Sequence, residues 1–206
     1  MGVKRKKKRP LVKVVWYFPI IPYLKRLFAN RANAELISMP NSARKMECLD
    51  TMLVACKRRF DAKYKEFKDE ERNIRFGLST FGMNPFGNTR STHSTWPMTL
   101  CIYNLPPWMC MKRKYLMMPL LISGPNQPGN DIDVYLKPLV EDLLVLWKDG
   151  VWVCDEYRRE NFTLYAMLFV TISDWPTLGN LSGQTVKGYN GCVQCLEKQG
   201  GWLTNS

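Results

Sequence analysis

Residues 73–88, NIRFGLSTFGMNPFGN, constrain the fold more than any other stretch of this chain. Ile74, Phe76, Leu78 and Thr80 alternate with residues that must point the other way, the period-two pattern of a strand. The pattern breaks at Gly82, and Asn84-Pro85 followed by Gly87-Asn88 reads as a turn-rich loop. A sheet enzyme places a catalytic carboxylate where a strand runs out into such a loop. Here the strand runs out in Phe81.

A chain of 206 residues with 46% apolar content is globular rather than disordered and has room for one sizeable core. Its net charge of +12 predicts attraction to polyanions, meaning nucleic acid or an anionic membrane face; a basic, solvated surface is the plainer alternative. The seven cysteines, Cys48, Cys56, Cys101, Cys110, Cys154, Cys192 and Cys195, are scattered and odd in number. The chain opens on charges rather than on an apolar signal region. A reduced intracellular protein with free thiols is therefore expected, not a disulfide framework. The longest apolar runs are broken by charge or proline well short of a membrane span, so a soluble chain is expected.

Near the start, Lys4, Arg5, Lys6, Lys7, Lys8 and Arg9 form a block of like charge that cannot pack. Such a block reads as a nuclear-import or nucleic-acid-contacting tail, or as a solubilising end. Between Leu11 and Phe28, Tyr23, Leu24, Leu27 and Phe28 share a helical face, with Lys25 and Arg26 on others. This is either a basic amphipathic helix touching DNA phosphates or a short helix docked by its aromatic face. Residues 57–72, KRRFDAKYKEFKDEER, suggest a connector helix with opposite-charge pairs such as Lys65–Asp69. The boundary falls near Asn73: residues 1–72 form a basic, helical N-terminal segment with connectors, and residues 73–206 form the core.

Further strands are expected over 95–105 and 115–122. Asp131 stands at a plausible N-cap, and Leu136, Leu139, Val140, Leu143, Leu144 and Trp147 form an apolar stripe. Gly150 closes that helix, and Pro138 should kink it or mark its true start. After a short VWVCDEY segment, Leu164 to Ile172 reads as one continuous buried strand, followed by Ser173 and Asp174. Three strands, a helix and a strand ending in Asp make an α/β layout with a mixed sheet.

These residues also carry a family resemblance, through YFPIIPYLKRLF (17–28), RNIRFGLSTFGMNPFGN (72–88), STWPMTLCIYNLPPWMC (94–110), the block from Leu120 to Val151, and the block from Phe162 to Cys195. Together they resemble the Tnp2-like transposases of plant CACTA-type (En/Spm-like) DNA elements. The resemblance implies a ribonuclease H-like core of the DDE type. Two Mg²⁺ ions would be held there by carboxylates on the first strand, near the end of the fourth, and on a later helix. In-line attack on a phosphodiester needs both attacking and leaving oxygens stabilised, which paired hard cations do through oxygen ligands.

Carried over residue by residue, Phe81 occupies the position of the family's first catalytic Asp, and an aromatic ring cannot ligate Mg²⁺. Asp174 matches the second ligand; without the resemblance it reads as a turn or cap carboxylate before Pro176. The third acidic residue is expected well downstream of the CxxC, beyond Ser206. Cys192 and Cys195 match a family CxxC and amount to half a zinc site. The sole histidine, His93, lies far upstream, and two free thiols are the default reading. Asp131 and Asp133 read as helix-start residues rather than a carboxylate pair.

The expectation is thus a truncated, degenerate transposase with an incomplete ribonuclease H-like core. It would be nuclear and bind transposon-end DNA through Lys4–Arg9, Lys25 and Arg26. An intact relative would use Mg²⁺; this chain is expected to bind no metal and to cut no DNA. The alternative is a non-catalytic DNA-binding or protein-interaction module.

Overall fold

The computed structural model describes residues 14–38, 51–86, 94–124, 128 and 132–173. Strand β2 (Ile74–Thr80) lies inside a five-stranded sheet and is hydrogen-bonded on both sides. Strand β3 (Trp96–Ile102) flanks it antiparallel, and β7 (Ala166–Ser173) flanks it parallel. β4 (Met117–Ile122) and the short β1 (Val15–Tyr17) complete the order β1-β4-β3-β2-β7. A separate hairpin pairs β5 (Val151–Asp155) with β6 (Glu160–Leu164). Six helices accompany these strands among the described residues. They are α1 (Ile20–Phe28), α2 (Arg31–Ser38), α3 (Thr51–Lys63), α4 (Lys65–Asp69), α5 (Pro107–Cys110) and α6 (Ile132–Lys148). The fold is mixed α/β.

An interior position, between β3 and β7, explains the composition of β2. Both faces are covered, so Arg75 is buried along with Ile74, Phe76 and Leu78. The Arg75 guanidinium meets Asp61 of α3 at 2.8 Å, and its backbone N–H donates to Asn104 Oδ1. Asn104 in turn donates to the Asn73 carbonyl at 2.8 Å. These bonds satisfy most of the buried polar groups where the chain enters the sheet and leave Arg75 Nε without a hydrogen-bond partner among the described residues. Asp61 takes this role, and the Lys65–Asp69 pair suggested by sequence is not among the ion pairs of the described residues.

The docked-helix reading of residues 20–28 holds. Ile20, Leu24, Leu27 and Phe28 enter the same core as the strands, and Phe28 meets Phe162 of β6 edge-on at 5.3 Å. Helix α1 has Pro19 at its N-cap and no capping side chain of its own. Asp142 of α6 acts instead, accepting the Ile20 N–H at 3.1 Å and the Tyr17 hydroxyl. Burial, reinforced by that bond, pushes the Tyr17 phenol up from its ordinary value.

Four sequence expectations need correction. The run from Leu164 to Ile172 is two strands, because the chain changes partner at Tyr165. Asn73 Oδ1 accepts the Tyr165 N–H, and the Tyr165 carbonyl accepts the Ile74 N–H at 2.9 Å, fixing the switch. Nor is β7 fully buried, since Leu168 and Ile172 are exposed on a strand with one partner among the described residues. The inward face of α6 keeps part of the expected stripe, with Leu139 buried and Leu136 and Leu143 packed against the core, but it is centred on Ile132, Leu139 and Leu146, seven residues apart, while Val140 and Leu144 are exposed. Asp142, polar in sequence, lies on the inward side because it has two donors to satisfy. Pro138 sits inside the helix and does not mark its start. Strands β3 and β4 are shorter than expected, because Tyr103–Leu105 forms a turn and Tyr115 packs from a loop. Gly150 ends α6 as expected, with φ of 69° and its N–H on the Val145 carbonyl.

Candidate functional site

The parallel register of β2 and β7 decides where a strand-end site would form. Its last pair is Thr80 with Ser173, so the two strands leave the sheet side by side. Thr80 is buried, its hydroxyl donating to the Pro97 carbonyl at 3.2 Å. The next residue on β2 is Phe81, 45% exposed. The next on β7 is Asp174, which lies outside the described residues.

Beyond Phe81 the chain passes Gly82 into an isolated antiparallel bridge between Met83 and Thr95. A side chain at 82 would crowd Ser94 Oγ at 3.0 Å and the Trp96 indole at 3.1 Å. Asn84 Oδ1 then accepts the Phe86 N–H, a turn closed by its own side chain. Phe81, Met83 and Phe86 are all exposed and give this end of the sheet an apolar rim. A benzyl ring offers no lone pair to a hard cation. The residues described at this strand end therefore do not fit the Mg²⁺ that the resemblance implies. Among the described residues no three His, Cys, Asp or Glu side chains gather into a metal-binding group.

A cationic face lies elsewhere. Lys25 and Arg26 are exposed on α1, away from its buried stripe. The Tyr23 hydroxyl donates to the Lys114 carbonyl at 3.0 Å, which fastens α1 to the loop carrying Lys112, Arg113 and Lys114. Burial raises the Tyr23 phenol; Tyr115 adds to this and Arg26 opposes it. Lys114 reaches Asn33 Oδ1 of α2 at 3.0 Å and lies over the Tyr115 ring. Exposed Trp108 and Met111 flank the same loop. Exposed cations beside an exposed aromatic suit nucleic-acid backbone and bases. Lys25 and Arg26 were singled out from sequence; Lys112–Lys114 were not, although a KRK triplet close to a tryptophan is a usable signal.

The remaining candidates, Lys4, Arg5, Lys6, Lys7, Lys8, Arg9, His93, Asp131, Cys192 and Cys195, lie outside the described residues. Asp133 is exposed in the first turn of α6. Cys56, Cys101 and Cys154 are free thiols, and Cys110 is buried.

Comparison with known families places this geometry. The profile of transposase family tnp2 matches residues 53–203. The chain belongs to that family. The tnp2 match begins inside α3 and takes in every strand from β2 to β7. It includes Phe81 and the Lys112–Lys114 loop, whereas Lys25 and Arg26 precede it. Membership of a transposase family points in general to interaction with DNA. No curated protein matches the chain. No described helix is long and apolar enough to cross a membrane.

Proposed function

We propose that this tnp2-family chain derives from the transposase of a CACTA-type DNA element, acts in the nucleus, and has lost metal-dependent strand cleavage while retaining affinity for DNA. The observation that carries the reading is Phe81 directly after strand β2, where the resemblance requires an aspartate. Strand order supports a ribonuclease H-like ancestry. Three antiparallel strands, β2, β3 and β4, are followed after α6 by β7, parallel to β2. The ends of the first and fourth strands of such a core then adjoin, as a shared metal site would need. Nuclear residence is supported by KRKKKR at Lys4–Arg9.

The test is calorimetric titration of Mn²⁺, a sensitive stand-in for Mg²⁺, into wild type and Phe81→Asp, both first shown to be folded. Wild type is expected to give no saturable site. Phe81→Asp is expected to gain one, which Asp174→Ala removes. Stoichiometric binding by wild type that Asp174→Ala abolishes, or Mg²⁺-dependent nicking of plasmid DNA by wild type, would overturn the proposal.

A second reading, a non-catalytic DNA-binding module, is favoured by the exposed cations of α1 and the Lys112–Lys114 loop. Its affinity for duplex DNA should fall with a log–log salt slope of about −0.9 per phosphate contacted. Replacing Lys112, Arg113 and Lys114 by Gln should flatten that slope. A wild-type affinity that ignores salt counts against this reading.

A further inference from the structure

At the end of β2 remote from Phe81, a cavity of about 550 Å³ opens between α3, α4, the last turn of α6 and Tyr165. That volume falls within the roughly 300–1,000 Å³ of small-molecule sites. β2 spans seven residues, so the cavity and the Phe81 strand end lie roughly 20 Å apart along the strand. They are separate sites.

Four aromatic rings and three ammonium groups line the cavity: Tyr64, Phe67, Trp147 and Tyr165, with Lys63, Lys65 and Lys148. Phe67 is buried, the other three rings are half-buried and the lysines exposed. Tyr64 meets Trp147 edge-on, with centroids 5.3 Å apart and planes at 84°. Phe67 and Phe60 back the indole at 5.8 Å and 6.3 Å. The two backbone hydrogen bonds at Tyr165 anchor its ring from the sheet side. Aromatic surface is thus in place before any ligand arrives, which lowers the ordering cost of binding. Lys63 lies 5.2 Å from the Tyr64 ring centroid, within cation–π range. Glu66 is the single carboxylate among the lining residues, so the cavity stays cationic.

This combination selects its ligand. An aliphatic guest would set three ammonium groups against apolar surface, and an acidic peptide would leave the rings without a planar partner. A planar base joined to a phosphate satisfies both sets, by stacking and by charge. We infer that the cavity binds a nucleoside phosphate, with the base on Trp147 and Tyr165 and the phosphate among Lys63, Lys65 and Lys148. Two sources share that chemistry, a free nucleotide and an unpaired nucleotide within a DNA strand. The inference does not depend on whether the Phe81 strand end cuts DNA.

The experiment uses the full chain with two probes, dAMP by calorimetry and fluorescein-labelled dodecathymidylate by anisotropy. Variants are Trp147→Leu, the triple Lys63→Gln/Lys65→Gln/Lys148→Gln, and a charge-matched control, Arg31→Gln/Lys137→Gln/Arg159→Gln, at exposed residues outside both the cavity and the Lys112–Lys114 loop. Circular dichroism checks that each is folded; the triple variant alters exposed side chains alone and keeps the test open if Trp147→Leu misfolds. Trp147→Leu is expected to weaken binding about tenfold with the salt slope unchanged. The pocket triple should weaken it at least as much and reduce the slope by about one. Loss of dAMP affinity identifies the free nucleotide as ligand; loss with dodecathymidylate alone identifies a nucleotide within a strand. Either result supports the site. Unchanged affinity for both probes in the pocket triple overturns it, as does an equal loss in the charge-matched control.

Discussion

Arg72 offers the sharpest test of how the β5–β6 hairpin is held to the sheet. It lies two residues before β2, is 4% exposed, and spends all three guanidinium nitrogens on acids. Nε and Nη2 donate to the two Glu70 oxygens at 2.8 and 2.7 Å. Nη1 donates to Asp155 at 3.0 Å and to Glu160 at 2.8 Å, while the guanidinium lies 3.8 Å from the centroid of the Phe162 ring. Arg72→Met keeps much of the volume and removes every donor. Asp155, 0% exposed, then retains the Tyr157 and Arg158 N–H groups on one oxygen and has lost its partner on the other. Breaking a buried pair in this way costs about 3–5 kcal/mol. The half-exposed Glu160 adds little. Against a typical domain stability of about 5–15 kcal/mol, that loss is readily measured by urea unfolding at pH 7. Adding Asp155→Asn should recover about 1–2 kcal/mol, since the buried charge goes while the oxygen that caps the turn stays.

A pH arm follows from the same cluster. The hydrogen bond from Arg72 holds the Glu70 carboxyl below its ordinary value, against the opposing effect of its own burial. A depressed carboxyl contributes stability that is present above its unfolded pKa of about 4.3 and is lost as pH falls through the lower folded value. Wild type should show that acid-side loss, and Arg72→Met should show less of it, because the backbone N–H of residue 72 and Arg158 still favour the Glu70 carboxylate. A cost below about 1 kcal/mol at pH 7 would refute the reasoning. The hairpin would then be held by apolar contacts such as Phe28 on Phe162.

Two further perturbations probe the rest of the frame. Asp142→Ala removes the acceptor for the Tyr17 hydroxyl and the Ile20 N–H, at an expected cost of about 1–3 kcal/mol. Amide exchange at Ile20 should accelerate with it, and an unchanged rate would show that α1 is held by its apolar face alone. At Gly77 an added Cβ would stand 2.3 Å from a Tyr103 ring carbon and 2.8 Å from Cys101 Sγ. Gly77→Ala should therefore lower Tm by roughly 2–12 °C in a melt followed by circular dichroism. An unaltered Tm would mean that the tyrosine ring swings aside freely.

What could be read from the sequence was what local pattern determines. β2 announces itself because its period-two apolar run ends at a glycine and a turn. Gly150 closes α6 because a left-handed residue there favours glycine. Partners distant in the chain leave no such trace. β1 is three residues long, and pairing with Leu120–Ile122 is what makes it a strand. The switch at Tyr165 is set by Asn73, and the inward turn of α6 by Tyr17 and Ile20. The Arg72 cluster draws on residues 70, 155 and 160, which look like ordinary surface charges in sequence. The aromatic cavity takes its rings from α6, from Tyr165 and from the junction of α3 with α4, so no window of sequence contains it.

Phe81 stands between these cases. Sequence shows a strand ending in an aromatic, and the family resemblance says which residue it displaces; neither says what lies beside it. The parallel pairing of Thr80 with Ser173 supplies that neighbour, and it makes the two strand ends a single question. A carboxylate following Ser173 has value to a metal only if a second oxygen donor leaves the adjacent strand at the same level. The side chain of an aromatic at residue 81 supplies no such donor. On the proposed reading, one side chain directly after β2 separates the fold, which tolerates an exposed aromatic at that position, from the metal chemistry, which does not.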